Sequence, residues 1–124
     1  MKKETLYLIG GSGFIGKNLV RCLSPFYGIT VFDKYIDTQF FSNYPQVQTC
    51  RLDLVIDKVP TNYPVPEFII NLASVVTAER DLSLFDILIS SNLKILLNLF
   101  ERFRDDKRLK MFIQFGSSEE YGSE

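Results

Sequence analysis

Residues 5–16 read Thr5-Leu6-Tyr7-Leu8-Ile9-Gly10-Gly11-Ser12-Gly13-Phe14-Ile15-Gly16. The first five residues are β-prone and apolar after Thr5, with no alternation of polar positions. Such a run reads as a strand buried on both faces, as in a parallel sheet. It stops at glycines. From Gly13 to about Leu23 the pattern becomes helical, with Ile15, Leu19 and Leu23 recurring every four residues as one apolar stripe. Ser24-Pro25 ends it.

A glycine turn between a strand and a helix is the context in which three spaced glycines acquire a use. Gly10 lets the chain turn sharply at the strand end. Gly13 removes a Cβ, so that backbone can approach a pyrophosphate. Gly16 lets the helix pack closely on the strand. The helix opening at Phe14 and Ile15 then offers free N–H groups and a partial positive charge to an anion. The bland alternative is a glycine-rich turn with no ligand.

Working outward, Ile29 to Phe32 is a second strand that stops at Asp33. Residues 34–46 lack a clear period and read as loop. Val47 to Leu52 is a third strand. Pro60, Pro64 and Pro66 argue against a long helix between residues 57 and 66. Phe68 to Leu72 is a fourth strand.

A long helix is expected from about Glu79 to Phe103. Leu82, Phe85, Leu88, Ile89, Leu93, Leu96, Leu99, Phe100 and Phe103 share one side, which Leu84 and Ile95 widen. Ser83, Ser90, Lys94, Asn98 and Glu101 hold the opposite face. This apolar arc exceeds what packing on a sheet requires, so further chain or a second subunit is expected to cover the rest. Met111 to Phe115 is a fifth strand. Strands alternating with helical segments imply a parallel α/β sheet.

Bulk properties agree with one ordinary globular domain. The chain has 124 residues, 46% hydrophobic and 23% charged, with a net charge of −1. No bulk field favours nucleic acid or an anionic membrane. Histidine is absent, which removes histidine-based triads and leaves no plausible zinc or haem site. Cys22 and Cys50 lie in unlike segments and read as reduced core or near-core residues, with a disulfide as the alternative. Lys2 and Lys3 precede an apolar stretch too short for a signal peptide, and no apolar run reaches membrane-spanning length. A soluble cytoplasmic protein is the expectation.

Asp33 is the second chemical marker. A carboxylate at the end of the second strand sits near an adenosine ribose in this arrangement and can accept hydrogen bonds from both hydroxyls. It repels a 2′-phosphate, which favours NAD over NADP, although the neighbouring Lys34 cation could tolerate that phosphate. An ordinary turn or cap residue is the alternative for Asp33.

With these residues in place, the chain resembles the N-terminal part of an extended short-chain dehydrogenase/reductase of the NAD-dependent epimerase/dehydratase type. Gly10, Gly13 and Gly16 match that family's G-x-x-G-x-x-G. Asp53-Leu54 matches its Asp-Leu/Ile after the third strand, which contacts the adenine. Asn71-Leu72-Ala73-Ser74 matches its Asn-x-Ala-Ala/Ser, which lines the cofactor. Asn92 matches an Asn on the long helix, and Ser117 through Gly122 resembles its Ser/Thr-x-x-x-Tyr-Gly.

The resemblance implies a Rossmann-type doubly wound parallel sheet, incomplete, with its N-terminal five strands in residues 1–124 and the substrate-binding part absent. It implies cofactor contacts from Gly10, Gly13, Phe14, Ile15, Gly16, Asp33, Asp53, Leu54, Asn71, Ala73, Ser74 and Asn92. Two of these have plainer readings: Asp53 as a turn former, and Asn92 as a buried amide tying helix to backbone.

The family's reaction, as the resemblance implies it, begins with oxidation of a sugar hydroxyl. A tyrosine of a Tyr-x-x-x-Lys motif takes the proton, and hydride passes to the nicotinamide. None of Tyr7, Tyr27, Tyr35, Tyr44, Tyr63 or Tyr121 has lysine four residues later, so residues 1–124 alone are expected to bind dinucleotide without turnover. Ser117 matches the active-site Ser/Thr, with a turn serine as the alternative. Glu119 matches the base of the nucleotide-sugar 4,6-dehydratase branch, with a solvated carboxylate beside Glu120 and Glu124 as the alternative. The implied parent is a nucleotide-sugar epimerase or 4,6-dehydratase, homodimeric through its long helices. A non-catalytic NAD sensor and an interaction module are the competing readings.

Overall fold

The computed structural model describes residues 2–72 and 94–115. Its elements are β1 (Glu4–Ile9), α1 (Phe14–Leu23), β2 (Tyr27–Asp33), α2 (Thr38–Phe41), β3 (Gln48–Arg51), β4 (Phe68–Asn71), a helix α3 over residues 94–103, and β5 (Met111–Gln114). The five strands form one parallel sheet in the order β3-β2-β1-β4-β5. This is the incomplete Rossmann-type sheet. The chain builds outward from β1 to β3, then returns to lay β4 on the other side of β1. That reversal opens a crevice at the carboxyl ends of β1 and β4, where open α/β sheets bind ligands.

Alternate residues of β1 serve opposite layers, because side chains of a strand point to opposite faces. Leu6 and Leu8 pack with Val20, Ile29, Val31, Ile36 and Phe41 on the α1 side. Tyr7 and Ile9 pack with Phe32, Ile69, Ile95, Leu99 and Phe103 on the α3 side. Both faces are covered, which explains why β1 reads as a continuous apolar run. The Tyr7 hydroxyl donates to the Pro64 carbonyl, and burial pushes its pKa up to about 12. Tyr7 is a neutral core residue, not a base.

Several expectations need correction. Residues 34–46 are not all loop, since Thr38–Phe41 form a short helix capped by Asp37, whose carboxylate accepts from the Phe40 N–H at 3.1 Å. The inward line of α1 is Gly16 and Val20, flanked by the partly buried Leu19 and Leu23, while Ile15 is 51% exposed. Glycine at position 16 lets the helix press closest along that line, which leaves Ile15 at the mouth of the turn. Cys22 is exposed, not in or near the core, because it lies about 200° around the helix from Val20. Both cysteines are free.

Of the expected long helix, residues 79–93 lie outside the described residues. Within 94–103, Ile95, Leu99 and Phe103 are buried at four-residue steps. Phe100 is exposed on its flank, tilted against Phe112. Asn98 does not simply face solvent. Its amide donates to the carbonyls of Leu54 and Asp57, both at 2.7 Å, and so fastens α3 to the turn after β3. Asn98→Ala is expected to cost about 1–2 kcal/mol by removing both bonds, measurable as a lower urea midpoint with an unchanged slope.

Candidate functional site

The register places the strand ends level with one another. Ile9 pairs with Phe32 on one side and with Asn71 on the other, and Asn71 pairs with Gln114. Gly10, Asp33 and Asn71 therefore sit together at one rim of the sheet. Gly10 makes the turn in the left-handed region, at φ 77°, where glycine is adopted without strain. Its N–H donates to the Phe32 carbonyl at 2.7 Å.

The glycines differ in what constrains them. A Cβ on Gly16 would lie within 2.5 Å of the Gly11 carbonyl carbon and oxygen. A Cβ on Gly11 would meet Leu8 and Val31 side chains at 2.9 Å. A Cβ on Gly13 would meet only the Gly10 carbonyl oxygen, at an ordinary 3.9 Å. Packing therefore requires glycine at 11 and 16, whereas Gly13 borders open space. Sequence reading missed Gly11, and the apolar Leu8 and Val31 at neighbouring strand ends are its only hint.

Gly13 is the N-cap of α1. No side chain caps the helix, and its first turn holds no acidic residue. Among the described residues, no hydrogen bond engages the N–H groups of Phe14, Ile15 or Gly16. A helix start with orphan donors, a bare backbone approach and no acidic side chain in its first turn is chemically suited to a phosphate. The Phe14 side chain is 82% exposed, so its contribution at the rim comes from its backbone.

Asp33 turns its carboxylate toward the glycine turn. Oδ2 accepts from the Ser12 N–H at 3.0 Å, and Oδ1 lies 3.4 Å from the Tyr35 N–H. Each oxygen keeps a further lone pair for a hydroxyl. Asp53 folds over its own turn, with Oδ1 accepting from the Val55 N–H at 3.0 Å. The Leu54 side chain is buried in the α3-side core and its carbonyl is taken by Asn98. Asn71 is 1% exposed and donates to the Gln114 side chain at 2.8 Å. Ala73, Ser74, Asn92, Ser117 and Glu119 lie outside the described residues.

Three further residues build the rim. The Ser12 hydroxyl accepts from the Asp37 N–H at 2.8 Å. The other Asp37 oxygen accepts from the Lys17 ammonium on α1 at 2.5 Å. The Lys17 hydrogen bond, then the Phe40 N–H, hold the Asp37 carboxyl below its ordinary 3.8. The Thr5 N–H, then Lys110, likewise hold Glu67 below 4.5.

The native state thus binds fewer protons than the unfolded chain near those values, so these groups stabilise the fold above them. Unfolding free energy is expected to be flat from pH 7 to about pH 5 and to decline as acid protonates both carboxyls. Asp37→Asn is expected to shallow that decline, as read from urea titrations across the range.

A parallel sheet reversing beside a glycine turn defines the Rossmann-type α/β class. Within that class the chain belongs to the NAD dependent epimerase/dehydratase family, whose model matches residues 6–124. No curated protein matches the chain in sequence. Among solved structures, UDP-glucuronic acid 4-epimerase from Bacillus cereus in complex with NAD is 20% identical, with a TM-score of 0.75 over 97% of this chain and 42% of that one. UDP-N-acetylglucosamine 4-epimerase from Methanobrevibacter ruminantium M1 is 21% identical, with a TM-score of 0.79 over 100% and 41%. Bordetella bronchiseptica WbmF, in complex with NAD+ and UDP, is 24% identical, with a TM-score of 0.68 over 91% and 36%. At these identities the likeness is one of fold. The chain spans less than half the length of each of them.

Proposed function

We propose that residues 1–124 are the cofactor-binding portion of an NAD-dependent nucleotide-sugar epimerase or 4,6-dehydratase. One observation carries this reading. The start of α1 leaves uncapped N–H groups beside Gly13, where no neighbouring atom crowds the backbone. The amides of Gly13, Phe14 and Ile15 would hold the pyrophosphate of NAD, with Gly10 and Gly16 shaping the turn. Asp33 holds the adenosine ribose and disfavours a 2′-phosphate. By the family resemblance, Asp53, Leu54, Asn71, Ala73, Ser74 and Asn92 are assigned to the cofactor, and Ser117 and Glu119 to the reacting end. NAD bound there supplies the hydride acceptor.

The fold shared with the two UDP-sugar 4-epimerases above supports this reading, as do the complexes of one of them and of WbmF with NAD. So does the family to which the chain belongs. The parent is read as a cytoplasmic homodimer, and Leu97 and Phe100, exposed on α3, supply apolar surface for pairing.

Calorimetric titration of the full-length protein with NAD is expected to show saturable binding, tighter than for NADP. Assay with nucleotide-hexoses then separates the branches, because a 4-keto-6-deoxy product marks a dehydratase and an inverted hydroxyl an epimerase. A folded protein that binds neither dinucleotide would refute the proposal.

A further inference from the structure

Asp37 joins three parts of the rim that the established motifs leave separate. Its N–H donates to Ser12 of the glycine turn, one carboxylate oxygen starts α2 through the Phe40 N–H, and the other takes the Lys17 ammonium of α1. Ser12 is 7% exposed, and its own N–H is spent on Asp33. The chain leaving β2 is thereby pinned at both ends, at Asp33 and at Asp37. Ile36, between them, is buried in the α1-side core. Lys17 and Arg21 also lie over the Phe40 ring, at 5.6 and 5.3 Å, which ties α2 to α1 from outside.

We infer that Asp37 is a positioning residue for the dinucleotide, acting through Ser12 and Lys17 to hold Asp33 and residues 34–36 against the adenosine half of the site. The inference rests on the reading of the glycine turn as the pyrophosphate site. Ser12 is the shared node. Its backbone orients the Asp33 carboxylate and its side chain holds the segment that follows. Without the Lys17–Asp37 pair, α2 and the preceding segment are free to swing from α1, and the ribose partner loses its fixed direction. Binding then includes the cost of ordering that segment.

The test uses full-length protein with NAD and ADP-ribose as probes. Asp37→Asn keeps the cap acceptor but removes the charge, and Lys17→Met keeps the stem but removes the ammonium. Each is expected to weaken both ligands about fivefold, with the double variant losing no more than either single one. Ligand-free melting temperature at neutral pH should fall by only a few degrees, because the Lys17–Asp37 pair is part-exposed. ADP-ribose should lose the same factor as NAD, because the effect acts on the adenosine half. Affinities within a factor of about two of the unchanged protein in both variants would overturn the inference. Losses that merely follow the melting temperature would do the same. If the unchanged protein itself fails to bind NAD, the pyrophosphate reading falls first and takes this inference with it.

Discussion

Gly16→Val is expected to destabilise the chain by about 4 kcal/mol or more, at the upper end of single substitutions. The reason is geometric. The added Cβ would land on the backbone of Gly11, and backbone atoms in a turn cannot rotate away as a side chain can. Relief requires moving α1 off the sheet, which uncovers Val20 and the Leu8–Val31 layer beneath it. Gly16→Ala, with the same Cβ and none of the branching, should fail almost as badly. Urea or thermal unfolding followed by circular dichroism measures the loss. A variant that keeps most of its stability would show that α1 does not press on the turn as described.

Gly13→Val is expected to do the opposite: keep the fold and abolish cofactor binding. Its backbone, at φ −82° and ψ −175°, is extended and open to any residue, and the new Cβ has space. Only the poorer N-cap counts against it, at about 1 kcal/mol. The side chain would fill the approach to the amides of Phe14 and Ile15. NAD affinity should fall about a hundredfold or more, equivalent to about 2.7 kcal/mol. Two glycines three residues apart are therefore expected to separate folding from binding. Calorimetry beside an unfolding curve resolves the two. Equal loss of stability in both variants, or intact binding in Gly13→Val, would contradict the assignment.

Much of this arrangement is legible in the residue pattern, and the misses have physical causes. Strands β1, β2 and β4 announce themselves because a sheet covered on both faces demands mostly apolar residues, as in Leu6 to Ile9, whereas β3 and β5 are less buried. The turn is legible because only glycine tolerates φ 77° at Gly10 and the contact at Gly16. Asp33 is marked by its place at a strand end.

Features that depend on tertiary proximity left little trace. Helix α2 is a single capped turn, too short to show a period. Asn98 reads as polar surface on a helical wheel, yet α3 passes the turn after β3 closely enough for its amide to bridge two carbonyls. The Ser12–Asp37–Lys17 chain spans three elements, so no local spacing reveals it. Its one sequence hint is Asp37 ahead of Thr38-Gln39-Phe40, an N-cap pattern. Cys22 was misplaced because residue type says little about which side of an amphipathic helix a small thiol occupies.

The most direct measurement is a crystal structure of the full-length protein grown with NAD. Diphosphate oxygens are predicted about 2.7–3.2 Å from the amide nitrogens of Phe14 and Ile15, with the adenosine ribose hydroxyls on Asp33. A diphosphate bound at another part of the molecule, or the protein's own atoms filling the space beside Gly13, would contradict the account.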